Sequence, residues 1–217
     1  MYCKSTFQKN LGTAKTFKKW RNLPKQASTL IPLCKNKHNN PSILFLTRPE
    51  HLPYPGQICF PGGKFDKNLD KSIEQTAIRE TFEETGIFPE KIEIWGKLPG
   101  VPDRKGDMLV TPIVGEIFKN EKVIIDEDNF LKNYKVSKDE VDEIFTVEIE
   151  SLLDRKNIEL VRYERGSKSD DKNITVHQVP LYKINEVEQD IWGLTAIQLN
   201  IALHYLYGQK ILTKVVT

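Results

Sequence analysis

The sequence predicts a single α/β domain in which helices cover both faces of a mixed, partly antiparallel sheet. Three observations carry this reading. Short apolar runs with β character alternate with helical stretches; a helical segment free of Gly and Pro, 71–85, follows a Pro-Gly-Gly turn; and an apolar helix lies near the end of the chain at 194–206. With 217 residues, 39% of them hydrophobic, the chain is long enough for one good core and short for two.

Taken in order, "SILFLT" (42–47) is a short strand, preceded by the polar loop "KNKHNNP", and globular structure is expected from about Leu30. "GQICF" (56–60) is a second strand, closed by Pro61-Gly62-Gly63, a tripeptide suited to a tight bend because Gly tolerates positive φ and Pro donates no hydrogen bond. Asp70 or Ser72 caps the helix 71–85 and Gly86 ends it as a C′ glycine. Its helical wheel puts Ile78, Phe82 and Thr85 on one side and Glu80, Glu83 and Glu84 on the other. Further strands are expected at 92–98, 109–117, 141–147, 158–164 and 174–181. The helix 194–206 covers the sheet, with Trp192 anchoring it in the core. No internal repeat or dividing linker is visible, so the chain divides into a basic extension (1–29), one domain (30–208) and a tail (209–217).

Net charge, +2, is too small for a protein that coats nucleic acid, which relies on concentrated Lys and Arg. The basic residues are unevenly placed, however: no acid precedes Glu50, while ten Lys and Arg do. Such a start fits a mitochondrial transit segment, and equally a basic surface helix held by Phe7, Leu11, Phe17 and Trp20; without targeting, a cytoplasmic protein is expected. No run is long and apolar enough to span a bilayer. Cys3, Cys34 and Cys59 lack metal or redox spacing and read as reduced thiols, and His38, His51, His177 and His204 are scattered, which argues against zinc.

The chemistry is concentrated in "FPGGKFDKNLDKSIEQTAIRETFEETGI", 60–87. Glu80 and Glu84 stand at i and i+4, and Glu83 at i+3, so three carboxylates gather on one turn near a helix C-terminus, where they repel one another and oppose the macrodipole. A hard divalent cation reverses that penalty; Mg2+ and Mn2+ prefer carboxylate oxygen, and Mg2+ commonly completes its shell with water and substrate phosphate. The Gly62-Gly63 turn lets bare backbone approach a diphosphate, and Arg79 is placed to pair with Glu83. Taken singly, an acidic helix run is usually a solvated face and a Pro-Gly-Gly usually just a turn. Strand, glycine turn, capped helix, Arg-Glu-x-x-Glu-Glu and terminating glycine in this order are far rarer.

These residues resemble the Nudix hydrolases, whose box is G-x5-E-x7-R-E-U-x-E-E-x-G-U with U apolar: Arg79, Glu80, Glu83, Glu84, Gly86 and Ile87 match its second half. "PGQICFPGG", "VDEIF" and "WGLTA" are similar to the coenzyme A diphosphatase subgroup, closest to its mitochondrial members in animals. The likeness runs from about Leu44 to Leu206 and implies a Nudix α/β/α sandwich and metal-dependent hydrolysis of a nucleoside diphosphate derivative. Two departures stand out. Gly63 is farther from Arg79 than the box allows, leaving Lys71 at the first Glu position and Asp66 or Asp70 as the nearest acids. Leu52, Pro53 and Tyr54 occupy the region where the subgroup carries a second Arg, leaving Arg48.

Carried onto this sequence, the resemblance implies Mg2+ or Mn2+ on Glu80 and Glu84, with Glu83 as a third ligand or as general base, and the Gly63 carbonyl as a weaker ligand. Glu140 and Glu143 are alternative bases, against the simpler reading of solvated loop charges. Arg48, Arg104 and Lys105, with Gly62 and Gly63, are candidates for the substrate's phosphates. The substrate expected is coenzyme A or acyl-coenzyme A. The alternatives are ADP-ribose, NADH or a dinucleotide, or a catalytically silent nucleotide-binding module.

Overall fold

Strand β1 (Lys25–Lys35) runs through the middle of the molecule, and its burial pattern shows why the sequence puts it there: from Ala27 to Cys34 all residues but Thr29 are buried. Ile31 and Leu33 face one core, Leu30 and Cys34 the other, as the two-residue period of a strand requires. A computed structural model describes residues 3–11, 23–118, 125, 130, 132–165, 175–185 and 187–208.

Among the described residues the main sheet has eight strands. β2 (Pro41–Thr47), β3 (Ile58–Cys59), β4 (Gly62–Lys64), β5 (Ile92–Lys97), β6 (Val101–Pro102), β7 (Met108–Ile117) and β8 (Ile144–Glu148) join β1, with a central order β3-β2-β1-β7-β5. β1 and β7 pair in parallel and the remaining ladders are antiparallel, so the sheet is mixed as expected. A separate hairpin is made by β9 (Ile158–Arg165) and β10 (Thr175–Tyr182).

Helix α2 (Ile73–Thr85) covers one face, while α1 (Lys4–Leu11) and α4 (Gly193–Tyr207) cover the other; the short α3 (Ile149–Leu153) follows β8. α/β/α layering therefore follows from two apolar sheet faces, each needing a cover.

Several expectations are corrected. The sheet begins at Lys25, ahead of Leu30, and α1 is part of the packed structure: Phe7 is fully buried, its ring 6.2 Å from that of Trp95, and Asn10 Nδ2 donates to the Tyr205 carbonyl at 2.8 Å. This is the surface-helix arrangement expected of Phe7 and Leu11; Phe17, Trp20 and the tail 209–217 lie outside the described residues.

The buried side of α2 is Thr76, Ala77, Thr81 and Thr85, whereas Phe82 is 40% exposed and packs against Phe88 in a tilted pair, ring centroids 5.3 Å apart. Small residues win that face because α2 lies directly on β1 and β4. Their hydroxyls are satisfied locally, Thr81 Oγ1 donating to the Ala77 carbonyl and Thr85 Oγ1 to that of Thr81, both at 2.6 Å. Trp192 is exposed, and the neighbouring Ile191 takes the core position. β3 and β8 are shorter than expected, because Gly56-Gln57 belongs to a turn and 141–143 to the approach to β8.

Candidate active site

The site is built from a turn and a helix end. Thr29, Ser28 and Ala27 of β1 face Gly62, Gly63 and Lys64, and the Leu30 amide donates to the Pro61 carbonyl at 2.8 Å, so the turn is held flat on the sheet edge. A Cβ at Gly62 would run into the Ser28 carbonyl and the Thr29 backbone; at Gly63 it would run into the Glu80 carboxylate. Glycine at 62 is thus a steric condition for laying the turn on β1, and glycine at 63 leaves the room that the Glu80 carboxylate occupies. The Gly62 amide donates to Glu84 Oε2 at 2.9 Å, fixing that carboxylate behind the bend.

α2 is kept in register by its ends. Ser72 accepts from the Gln75 amide at the N-cap, and Gly86, at φ 74°, donates to the Phe82 carbonyl at the C-cap. Beyond Gly86 the chain returns, and the Ser137 amide donates to the Glu84 carbonyl at 3.0 Å. The turn that follows carries Glu140 close enough for its charge to act on both Glu80 and Glu84.

Arg79 ties the acidic groups together. Its Nε and Nη2 donate to Asp70 Oδ1 and Oδ2, each at 2.9 Å, a two-point grip on a side chain that is 1% exposed. Nη1 reaches Glu80 Oε1 and Glu83 Oε2, both at 2.8 Å, and Nη2 donates to the Lys64 carbonyl at 3.2 Å. The expected Arg79–Glu83 pair is present, and Asp70 is its anchor: Thr76 Oγ1 and the Asp66 amide also donate to Asp70 Oδ2 at 3.0 Å. The Arg79 guanidinium, with these other donors, holds the Asp70 carboxyl down at about 2.

Glu80 and Glu84 are treated in the opposite way. Burial pushes the Glu84 carboxyl up to about 8, with Glu80 and Glu140 adding to the effect against the Gly62 amide and Arg48. Burial also raises Glu80, against the pull of Arg79. Two partly buried carboxylates side by side, raised by burial although Arg79 bonds Glu80, are the donor set a hard divalent ion stabilises. Among the described residues no group of three or more His, Cys, Asp or Glu is placed to hold a metal ion. Mg2+ asks for less, one or two carboxylates with water and substrate phosphate completing the shell, so Glu80 and Glu84 fit it.

The structure therefore brings Glu80, Glu84, Gly62, Gly63 and Arg79 together, with Glu140 at the rim. Glu83 lies to the outside, 46% exposed, on Arg79. Arg48 is near Glu84 and Cys59, but its Nε donates to the Pro53 carbonyl at 3.0 Å. Arg104 stands exposed on the β6–β7 loop, whose shape is set by Asp103 Oδ1 accepting from the amides of Gly106, Asp107 and Met108. The sequence marked Asp66 or Asp70 as the acids nearest the missing box glutamate, and no local pattern announced the grip of Asp70 on Arg79.

A family model described as NUDIX domain matches residues 24–164. The chain belongs to the Nudix family, and it is a pyrophosphohydrolase acting on phosphoric anhydrides. It is 35% identical over 184 residues to Nudix hydrolase 3 of Caenorhabditis elegans, covering 82% of this chain and 72% of that one. It is 29% identical over 195 residues to the mitochondrial coenzyme A diphosphatase NUDT8 of Mus musculus, covering 89% and 83%. A crystal structure of the Nudix hydrolase RenU from M. smegmatis aligns with 58% of this chain and 72% of its own, at a TM-score of 0.45 and 17% identity. Nudix hydrolases generally use divalent metals and act on small nucleotide derivatives. Among the described residues no helix is long and apolar enough to cross a membrane.

Proposed function

We propose that this chain is a Mg2+- or Mn2+-dependent diphosphatase of coenzyme A or acyl-coenzyme A, releasing a 4′-phosphopantetheine species and adenosine 3′,5′-bisphosphate. The observation that carries the metal dependence is the pair Glu80 and Glu84, partly buried and pressed against a diglycine turn. Similarity over most of the chain to a relative named as a coenzyme A diphosphatase supports the substrate.

Glu80 and Glu84 would hold the ion, with the Gly63 carbonyl as a further oxygen. When bound, such an ion neutralises the diphosphate, lowers the pKa of a bound water and stabilises the leaving phosphate. Arg79 keeps Glu80 and Glu83 in place while itself locked on Asp70. Glu83, and Glu140, whose charge acts on Glu80 and Glu84, are the groups available to take a proton from the attacking water. Arg48 and Arg104 are the cations proposed for the substrate's phosphates, and bare backbone at Gly62-Gly63 leaves room for the diphosphate. A mitochondrial address belongs to the same proposal, supported by the names of the mouse and human relatives; subcellular fractionation tests it.

One observation favours a second reading. Arg48 is already engaged by Pro53, within the Leu52-Pro53-Tyr54 stretch that replaces a subgroup arginine, so a Nudix hydrolase of ADP-ribose, NADH or dinucleotides is the competitor. Incubation of the Mn2+-loaded protein with each compound, with products identified by mass, separates them. Phosphopantetheine and adenosine bisphosphate from coenzyme A are expected; intact coenzyme A beside cleaved NADH or ADP-ribose overturns the substrate assignment.

A further inference from the structure

Helix α4 is apolar over most of its length, yet it buries Thr195, Gln198 and Asn200. Two of these reach the strands that frame the diglycine turn from the face opposite α2. Thr195 Oγ1 donates to the Ile58 carbonyl of β3 at 3.0 Å, just before Pro61. Gln198 Oε1 accepts from Thr29 Oγ1 of β1 at 3.2 Å, and Thr29 is the residue paired with Gly62. The Thr29 methyl lies so close beneath Gly62 that a Cβ there would meet it. Gly62 in turn donates its amide to Glu84. A continuous series of contacts thus crosses the sheet: Gln198, Thr29, Gly62, Glu84.

Gln198 is 1% exposed, and its Nε2 has no hydrogen-bond partner among the described residues. A buried amide left half satisfied costs stability, and an aliphatic side chain would complete the apolar face of α4. The fold alone gives no reason for glutamine at this position; the site does.

We infer that Gln198, acting through Thr29, is a positioning residue that fixes the Gly62-Gly63 turn at the height where the Gly62 amide holds Glu84, and the Gly63 carbonyl and the Glu80 and Glu84 carboxylates would receive the divalent ion. Thr195 secures the other strand of the turn in the same way. This inference rests on the metal-site reading above. It predicts that function and stability part company at position 198: an aliphatic replacement leaves the fold as stable or more so and loosens the metal site. An outer residue that orients metal ligands typically changes metal affinity by ten- to a hundredfold on removal.

The test measures Mn2+ binding by calorimetry on the metal-free full chain, alongside thermal unfolding, for the wild type and for Gln198→Leu, Thr29→Val, Thr29→Ser and Glu84→Gln. Gln198→Leu and Thr29→Val are expected to weaken Mn2+ binding about tenfold, with the melting temperature of Gln198→Leu unchanged or raised and KM at saturating Mn2+ within about twofold of wild type. Thr29→Ser keeps the hydroxyl and is expected to recover wild-type Mn2+ affinity. Should Gln198→Leu not fold, the Thr29 pair carries the test alone. The inference is overturned if both weakening variants bind Mn2+ as the wild type does while Glu84→Gln does not, or if Thr29→Ser binds as poorly as Thr29→Val. If Glu84→Gln itself binds Mn2+ like the wild type, the metal-site reading fails, and the inference with it.

Discussion

A methyl group at position 63 is enough to dislodge Glu80. Gly63 sits in a strand conformation that alanine adopts without strain, and what its Cβ would meet is the far end of a flexible side chain. Gly63→Ala should therefore fold normally while Mn2+ affinity and kcat each fall about ten- to a hundredfold, a split that parallel calorimetry and turnover measurements read directly. Asp70 gives the complementary case, a residue whose work is structural. Asp70→Asn keeps the shape, removes the buried counter-charge of Arg79 and should cost about 3 kcal/mol at neutral pH. Because the folded-state value is depressed to about 2 from 3.8, the wild-type advantage is complete above the unfolded value and disappears as pH falls through the folded one. Denaturant titrations of both proteins between pH 7 and pH 2 should show the two stabilities converging at the acid end. The run Arg79-Glu80-x-x-Glu83-Glu84-x-Gly86 was legible because side-chain spacing on a helix is periodic. The outward turn of Glu83 was not, since it depends on Arg79 being pinned by an aspartate nine positions earlier, through a loop longer than the family motif.

Elements were legible where their period was unbroken. α2, β5, β7, β9 and α4 lie within a residue or two of their expected bounds. β1 was hidden by Pro32, since proline inside a strand usually argues against a central position. The structure shows why it is tolerated: Pro32 falls between the stretch of β1 that pairs with β4 and the stretch that pairs with β2, where a missing N–H costs little. The wheel of α2 misled for another reason, because it ranks side chains by hydrophobicity when close approach to β1 and β4 selects them by size. α1 was expected as one of two alternatives, and its burial of Phe7 decides that Lys4–Leu11 packs as structure. Phe7→Ala should accordingly cost about 3–5 kcal/mol, measured by denaturant titration, although it lies far along the chain from the acidic cluster.

At the scale of the whole molecule, the sheet separates two cores and carries the site on its edge. α2 brings Glu80 and Glu84 from one side, while α4 braces the strands beneath the glycines from the other. The layers were legible in the sequence; their cooperation across the sheet was not, because a hydrogen bond between positions 29 and 198 leaves no local pattern. What the arrangement achieves is to hold two carboxylates, raised by burial, against a bare-backbone turn, the place proposed above for the ion and the diphosphate. The most direct measurement is an anomalous-scattering map from crystals grown with Mn2+. A peak bonded to oxygens of both Glu80 and Glu84 beside Gly63 is the predicted result; an empty map there, with the ion bound elsewhere or not at all, would contradict it.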